Sequence, residues 1–239
     1  MNEEYLKQNT APGTEIRCLG VTDSTSLRAR ELYEGRPLLV TAQGQTAGRG
    51  RRGRDFYSPT GTGLYMSVAF PVDEQNLVFL TCAAAVAVCR ALQQTAGISP
   101  QIKWVNDIML GEKKIAGILC ERIPEGVIIG VGINLTTSAF PSELGGRAGS
   151  IGTPVNEEAL CAAAANGLFA LADGAGDYLQ EYRSRLMLCG REIEFEQNGR
   201  VRRGTVTGVD DSGGLLVNTA EGPVTLNSGE ITVRALNPQ

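Results

Sequence analysis

The stretch from residue 76 to residue 96, NLVFLTCAAAVAVCRALQQTA, constrains the fold more than any other segment. Wound as a helix, it carries apolar side chains nearly all the way round, and polar ones gather only toward its C-terminal end. Such a helix is either a membrane span or the centre of a protein core. Asn76, Arg90 and two glutamines within the stretch favour the core. A helix buried on every side needs other layers around it, and 239 residues suffice for one large domain with a small companion.

The flanking sequence supplies those layers. IRCLGVTDST reads as a short strand ending in a polar turn, and STSLRARELYEG as a helix that Ser24 or Thr25 caps and Gly35 stops. RPLLVTAQ and GLYMSVAF are further strands. QIKWVNDIML, IAGILCERI and VIIGVGINL follow as successive strands joined by GEKK and PEG turns, in an antiparallel or mixed sheet. Asn156 caps a long helical segment reaching about Leu188, with Glu157 and Glu158 in its first turn. The prediction is an α+β domain with helices packed on one central sheet. After Cys189 the pattern changes: REIEFEQ, RVRRGTVTGV, GLLVNTA, PVTL and GEITVR are short strands separated by NG, DDSGG and AEG turns, which suggests a small β-barrel or sandwich. The expected division is a main domain over 1–188 and a small domain over 189–239.

Histidine is absent, which removes the commonest general base and the commonest zinc ligand together. Ser-His-Asp and Cys-His nucleophilic schemes are excluded, leaving lysine, arginine, carboxylates, amides, backbone groups or a hard metal. Cys18, Cys82, Cys89, Cys120, Cys161 and Cys189 form no CxxC pair and sit mostly in apolar surroundings, as free thiols do in a reducing compartment. The N-terminal MNEEYLKQNTAPG lacks the apolar run of a secretory signal, so a cytoplasmic protein is expected.

Against a formal net charge of -4, residues 48–54 read GRGRRGR. Arginine offers a planar fork of donors that matches phosphate or carboxylate, and glycine lets the backbone approach a ligand. Three readings stand open: a solvated charge run, a nucleic-acid patch, and a loop that closes over a phosphorylated small ligand. Overall acidity and the lack of aromatics between the arginines disfavour the second. No P-loop signature occurs, and GVGINL lacks the third glycine of a dinucleotide fingerprint. KWVND, read as strand, puts Lys103, Val105 and Asp107 on one side and Ile102, Trp104 and Asn106 on the other. Its lysine fits a surface position beside a packed aromatic or, with GEKKIAG nearby, a cationic site. In GVGINL the glycines mark either a bulge or a close approach of ligand to backbone, with the Asn134 amide free to pair with that ligand.

Together DSTS, GQTAGRGRRGR, SPTGTGLYMS, KWVNDI, KKIAGILCE and VIIGVGINL stand in the order and at about the spacing seen in bacterial biotin protein ligases, which the chain resembles. The likeness runs on through GREIEF and GEITVR over nearly the whole chain. It implies a class II synthetase-like catalytic domain and a small C-terminal SH3-like β-barrel. It further implies joining of the biotin carboxylate to the α-phosphate of ATP, normally with Mg2+, then transfer from biotinyl-5′-AMP to a lysine of a biotin carboxyl carrier protein.

By matching positions, the resemblance assigns Ser24, Thr25 and Ser26 to the biotin head group, with Gln45, Gly48, Arg49, Gly50 and Arg51 completing the pocket. Arg49, Arg51 and Arg54 would gather carboxylate and phosphates, with Arg52 assisting. Lys103 matches the lysine between carboxylate and α-phosphate, so Lys103 and Arg49 are the expected catalytic pair. Asn106, Asn134 and Lys113 or Lys114 would lie near the adenylate, and Phe56, Gly130 and Gly132 would shape the apolar walls. The loop should be disordered without ligand and closed with it.

Some positions depart from the family pattern. Val105 replaces its usual proline, Phe56 stands where tryptophan is common, and no tryptophan precedes the GE at 229–230, which puts an adenylate contact from residues 226 to 230 in doubt. About 13 residues precede the first strand, too few for the winged-helix domain of repressor-type relatives, so a monofunctional ligase without DNA or membrane partners is expected. Sheet-edge homodimers are common among such relatives. The competing functions are a lipoate-protein ligase on the same fold and a biotin- or nucleic-acid-binding protein without catalysis.

Overall fold

The computed structural model describes residues 1–144, 146–174, 178–197, 199–227 and 233–235. From the N-terminus come α1 (Glu3–Asn9), β1 (Glu15–Thr22), α2 (Thr25–Leu32), β2 (Leu38–Gln45), β3 (Gly63–Phe70) and α3 (Leu77–Ala96). Next are β4 (Gln101–Lys103), β5 (Asp107–Leu110), β6 (Lys113–Ile123), β7 (Gly126–Asn134), α4 (Glu157–Phe169) and α5 (Tyr178–Arg185). The chain closes with β8 (Glu192–Gln197), β9 (Arg200–Val209), β10 (Leu215–Thr219), β11 (Gly222–Leu226) and β12 (Val233–Ala235).

Helix α3 is the predicted central helix. The Asn76 side chain accepts hydrogen bonds from Val78 N and Phe79 N, and Gly97 at φ 67° ends it. Although α3 is long and apolar enough to cross a bilayer, 67% of that stretch is buried inside the protein. Ala83, Ala84, Ala85, Ala87 and Ala91 keep its surface low, so that α4 and the sheet approach closely.

The main sheet has seven strands in the order β1-β2-β3-β7-β6-β5-β4, with β1 and β2 parallel and the other neighbours antiparallel. Its alternation sorts the two faces. Leu64, Met66, Val68 and Phe70 of β3 and Val127, Ile129, Val131 and Ile133 of β7 join the core built on α3 and α4. The opposite parity, Val40, Ala69 and Ile128, meets Ala29 of α2 in a smaller core. A single short helix covers only part of that second face.

The second sheet is antiparallel, in the order β11-β10-β9-β8-β12. Among the described residues no ladder joins β11 to β12, so it is seen as an open five-stranded sheet. The start of GEITVR, residues 229–232, lies outside the described residues.

Several local expectations are corrected. QIKWVNDIML is not one strand: β4 and β5 fold back on each other around residues 104–106, with Lys103 opposite Asp107, and the Trp104–Val105 peptide is cis. The alternation assumed across KWVND therefore fails at the turn. The helix from Asn156 does not reach Leu188, because α4 ends at Phe169 and a short 3-10 turn leads to Gly174 at φ 111°, a conformation that favours glycine. Helix α2 stops at Leu32, short of Gly35, and its N-cap Ser24 makes no side-chain capping bond. The polar N-terminus forms α1, whose Leu6 is fully buried.

Candidate active site

The part of the second sheet face that α2 leaves open has a floor without side chains. Gly117 on β6 and Gly130 and Gly132 on β7 point their missing Cβ positions into it. A methyl group on Gly130 would come within 2.5 Å of Ser26 Oγ, and one on Gly132 would collide with the Phe56 ring. The two glycines expected to shape the apolar walls thus lie on this floor, and Gly117 extends it to 3.1 Å from both Phe56 and Lys114.

At one end stands a buried cluster of hydroxyls and an amide, held at the turn from β1 into α2. The Gln45 carbonyl accepts from Thr25 N (2.8 Å) and Thr25 Oγ1 (3.1 Å), while its amide donates to Ser58 Oγ at 2.8 Å. Ser67 Oγ donates to Thr25 Oγ1 at 2.8 Å and shares a 3.1 Å hydrogen bond with Ser26 Oγ. Asp23 anchors the turn by accepting from Ser24 N at 2.6 Å and from Arg28 at 2.9 Å. The Ser24 backbone bond, with those of Thr22 and Arg28, holds the Asp23 carboxyl below the usual range despite some burial. Ser24 Oγ itself is buried without a hydrogen-bond partner. A hydroxyl so placed costs about 1–3 kcal/mol unless a ligand engages it.

At the other end the glycine-arginine segment forms a small hairpin. Thr46 N and Ala47 N bond to Thr22 O and Asp23 O, Arg49 bridges Asp55, and Phe56 N donates to Gly48 O at 2.8 Å. Arg52 at φ 60° and Gly53 at φ 68° turn the tip. A methyl group on Gly48 would collide with Phe56 O, so only glycine lets the two arms close. Arg49 forks onto both oxygens of Glu121, at 3.1 and 3.2 Å. Arg51 donates to Asn106 Oδ1 at 3.2 Å; burial lowers its pKa and the neighbouring Arg52 adds to that, while Asp107 opposes. Arg52 and Arg54 are exposed at the tip.

The two neighbouring lysines separate. Lys114 Nζ lies 2.5 Å from Asp107 Oδ1 and 5.9 Å from the centre of the Phe56 ring, inside the site. Lys113 instead donates to Gly146 O, outside it. Asn134 Nδ2 donates to Gly149 O at 2.9 Å, while its Oδ1 is buried without a hydrogen-bond partner. Lys103 faces Asp107 across the β4–β5 ladder, and its ammonium makes no side-chain hydrogen bond or ion pair among the described residues. Gly50 lies in the hairpin against Arg54 O.

Ser67, Ser58, Asp107, Gly117 and Glu121 were not read from sequence as site residues. Period two along IAGILCE puts Gly117, Leu119 and Glu121 on one face, and that signal could have found Glu121. Burial pushes the thiols of Cys82, Cys89 and Cys120 up to about 12, which disfavours thiolate chemistry at these three positions.

A helix-backed sheet with a bare glycine floor, a hydroxyl-amide cluster at one end and guanidinium and ammonium groups at the other defines a class of protein that grips a polar-headed acid and the phosphates that activate it. The biotin/lipoate A/B protein ligase family matches residues 18–135, and the biotin protein ligase C-terminal domain matches residues 188–234. The chain is similar to the bifunctional ligase/repressor BirA of Bacillus subtilis, 35% identical over 88% of this chain and 71% of that protein. It is similar also to the biotin-(acetyl-CoA-carboxylase) ligase of Paracoccus denitrificans, 30% identical over 89% of this chain and 98% of that one. Among solved structures, the biotin protein ligase from Aquifex aeolicus in complex with biotin and ATP superimposes with TM-score 0.82 and 28% identity, covering 93% of this chain and 99% of that chain. The chain belongs to the biotin/lipoate A/B protein ligase family, among its biotin protein ligases.

Proposed function

We propose that the chain is an ATP-dependent biotin protein ligase acting on the biotin carboxyl carrier domain of acetyl-CoA carboxylase or a related carboxylase. The observation that carries the reading is the pairing, across one glycine floor, of a buried hydroxyl-amide cluster with converging cations. Biotin has matching ends, a ring urea and a carboxylate. The adenylation site belongs to the 1–188 unit, with 189–239 as its companion domain. Six unpaired cysteines agree with work in the cytoplasm, and a homodimer is compatible with the reading.

Ser24, Thr25, Ser26 and Gln45 offer the urea its donors and acceptors, with Gly48 and Gly50 letting the hairpin close over it. A carboxylate oxygen attacks the α-phosphorus as the bond between the α-phosphorus and its bridging oxygen breaks and pyrophosphate leaves. Lys114 is the cation best placed for the charge that develops, with Arg49, Arg51 and Arg54 around the phosphates and Lys103 beside Asp107 as a second lysine. Asn106 and Asn134 face the nucleotide, and Phe56 walls the site. Mg2+ comes as part of the MgATP substrate, and no group of three or more Asp, Glu, Cys or His among the described residues forms a metal cage of its own. In the second step the carrier's neutral lysine amine attacks the mixed-anhydride carbonyl, the C–O bond to the phosphate breaks, AMP leaves, and solvent takes the released proton.

The test is ATP-dependent incorporation of labelled biotin into a carrier domain, run beside lipoate because the matched family includes both ligases. Biotin incorporation with pyrophosphate release is expected. Preference for lipoate, or biotin binding without pyrophosphate, overturns the reading.

A further inference from the structure

The turn between β4 and β5 meets the site on its front. The Asn106 side chain receives Arg51, and its amide is tied to Ile118 O at 2.8 Å; Asp107, the next residue, holds Lys114. Behind the site the same turn is gripped by parts of the molecule far away in sequence. Trp104 Nε1 donates to Gly213 O at 2.9 Å, and the Tyr182 hydroxyl donates to Val105 O at 3.2 Å, both in the interior. Tyr182 is fully buried, and burial pushes its hydroxyl well above the usual tyrosine range, so it stays a donor at any pH where the protein works.

Gly213 lies in the β9–β10 turn of the C-terminal sheet, at φ 84°, seated on α3. A methyl group there would come within 3.1 Å of Val78, 3.2 Å of Cys82 Sγ and 3.3 Å of Phe79 Cα. The turn is braced from within by Asp210, which accepts from Ser212 N and Gly214 N at 2.8 Å each. From outside, Asn76 donates to Ser212 O at 2.9 Å, and Arg183 donates to Val209 O and pairs with Asp211 at 2.8 and 2.7 Å. This is a rigid support meeting a turn whose other side carries substrate-facing groups.

We propose that the 210–214 turn of the C-terminal sheet and Tyr182 are positioning elements for adenylate formation, acting through Trp104 and Val105 to hold Asn106 and Asp107, and thereby Arg51 and Lys114, in register with the phosphates. This rests on the ligase reading above. The hydroxyl-amide cluster lies strands away, on α2, β2 and β3, so the clamp acts on nucleotide chemistry and leaves the grip on biotin alone.

The full-length chain carrying Trp104→Phe or Tyr182→Phe, each of which removes one donor and keeps an aromatic ring, is compared with the unaltered chain in a single-turnover assay of biotinyl-5′-AMP formation. Rates are expressed per biotin-binding molecule. A fall of about five- to tenfold in that rate, with biotin affinity within about twofold, is expected from losing one buried hydrogen bond that aims the turn. Transfer from preformed biotinyl-5′-AMP to the carrier should change less than adenylation. Gly213→Ala, which disturbs the support itself, should fall in the same direction if it folds, and the two aromatic variants decide the matter if it does not. A clamp that merely stabilises the fold would reduce the number of biotin-binding molecules and leave the rate per molecule unchanged; that result overturns the proposal, as does a defect confined to the transfer step. If the unaltered chain binds biotin but forms no adenylate, the ligase reading falls and takes the inference with it.

Discussion

At the scale of single residues, the site separates side chains that neutral sequence spacing leaves equivalent. Lys113 and Lys114 are neighbours, yet only Lys114 reaches Asp107 and Phe56. Lys114→Ala should lower adenylate formation by about 100-fold while leaving biotin affinity nearly unchanged, since it removes a preorganised cation facing developing charge; Lys113→Ala should cost far less. Lys103→Ala tests the residue that family matching favours, and a loss equal to that of Lys114→Ala would show that both lysines serve the phosphates. The arginines were legible because four of them among glycines have no packing explanation. Glu121 was not, because one carboxylate in an apolar strand reads as a solvent-facing residue until the fork on Arg49 is seen. Lys103 was singled out by its match to the family lysine, whereas its neighbour Trp104 turns its indole away to Gly213 O.

At the scale of elements, the arginine hairpin is held mainly by backbone bonds at its base, and its tip is exposed. Its few buried apolar contacts place it at the low end of local stability. Protease cleavage within 48–56 should slow several-fold when biotin and ATP are both present; equal cleavage with and without them would contradict a ligand-closed loop. Strands β3 and β7 were readable in place as short apolar runs bounded by turn residues, and both are buried along nearly their whole length. The β4–β5 turn was not, because its three residues, two of them buried apolar side chains, mimic the continuation of a strand. The single long helix after Asn156 failed for a different reason: its glycines look tolerable in an alanine-rich run, yet Gly174 adopts a conformation that ends it. Helix α3 needs its cap, and Asn76→Ala should destabilise the protein by about 1 kcal/mol through the lost cap, with the tie to Ser212 lost besides.

At the scale of the whole molecule, α5 is joined to α3 by Glu181, which receives Arg90 at 2.8 Å and Arg185 at 2.8 Å. Burial works against the ionised carboxyl, but the two guanidinium groups outweigh it and bring the pKa below its ordinary 4.5. Because the folded value is the lower one, this stabilisation is present above the unfolded range and is lost as pH falls through the folded pKa. Glu181→Gln should therefore lower Tm at pH 7, and the gap to the unaltered chain should close as pH falls below the ordinary carboxylate range and through the folded pKa. Thermal melts across that range check it. The floor of the site has a further consequence at this scale. Gly130, Gly132 and Asn134 lie on one strand, and same-face positions advance by about 7 Å per pair of residues. With a hydroxyl cluster fixed over the first and cations converging beyond the second, the sheet works as a ruler, and a ligand whose acid group sits one methylene too near or too far from its head should be bound yet activated slowly.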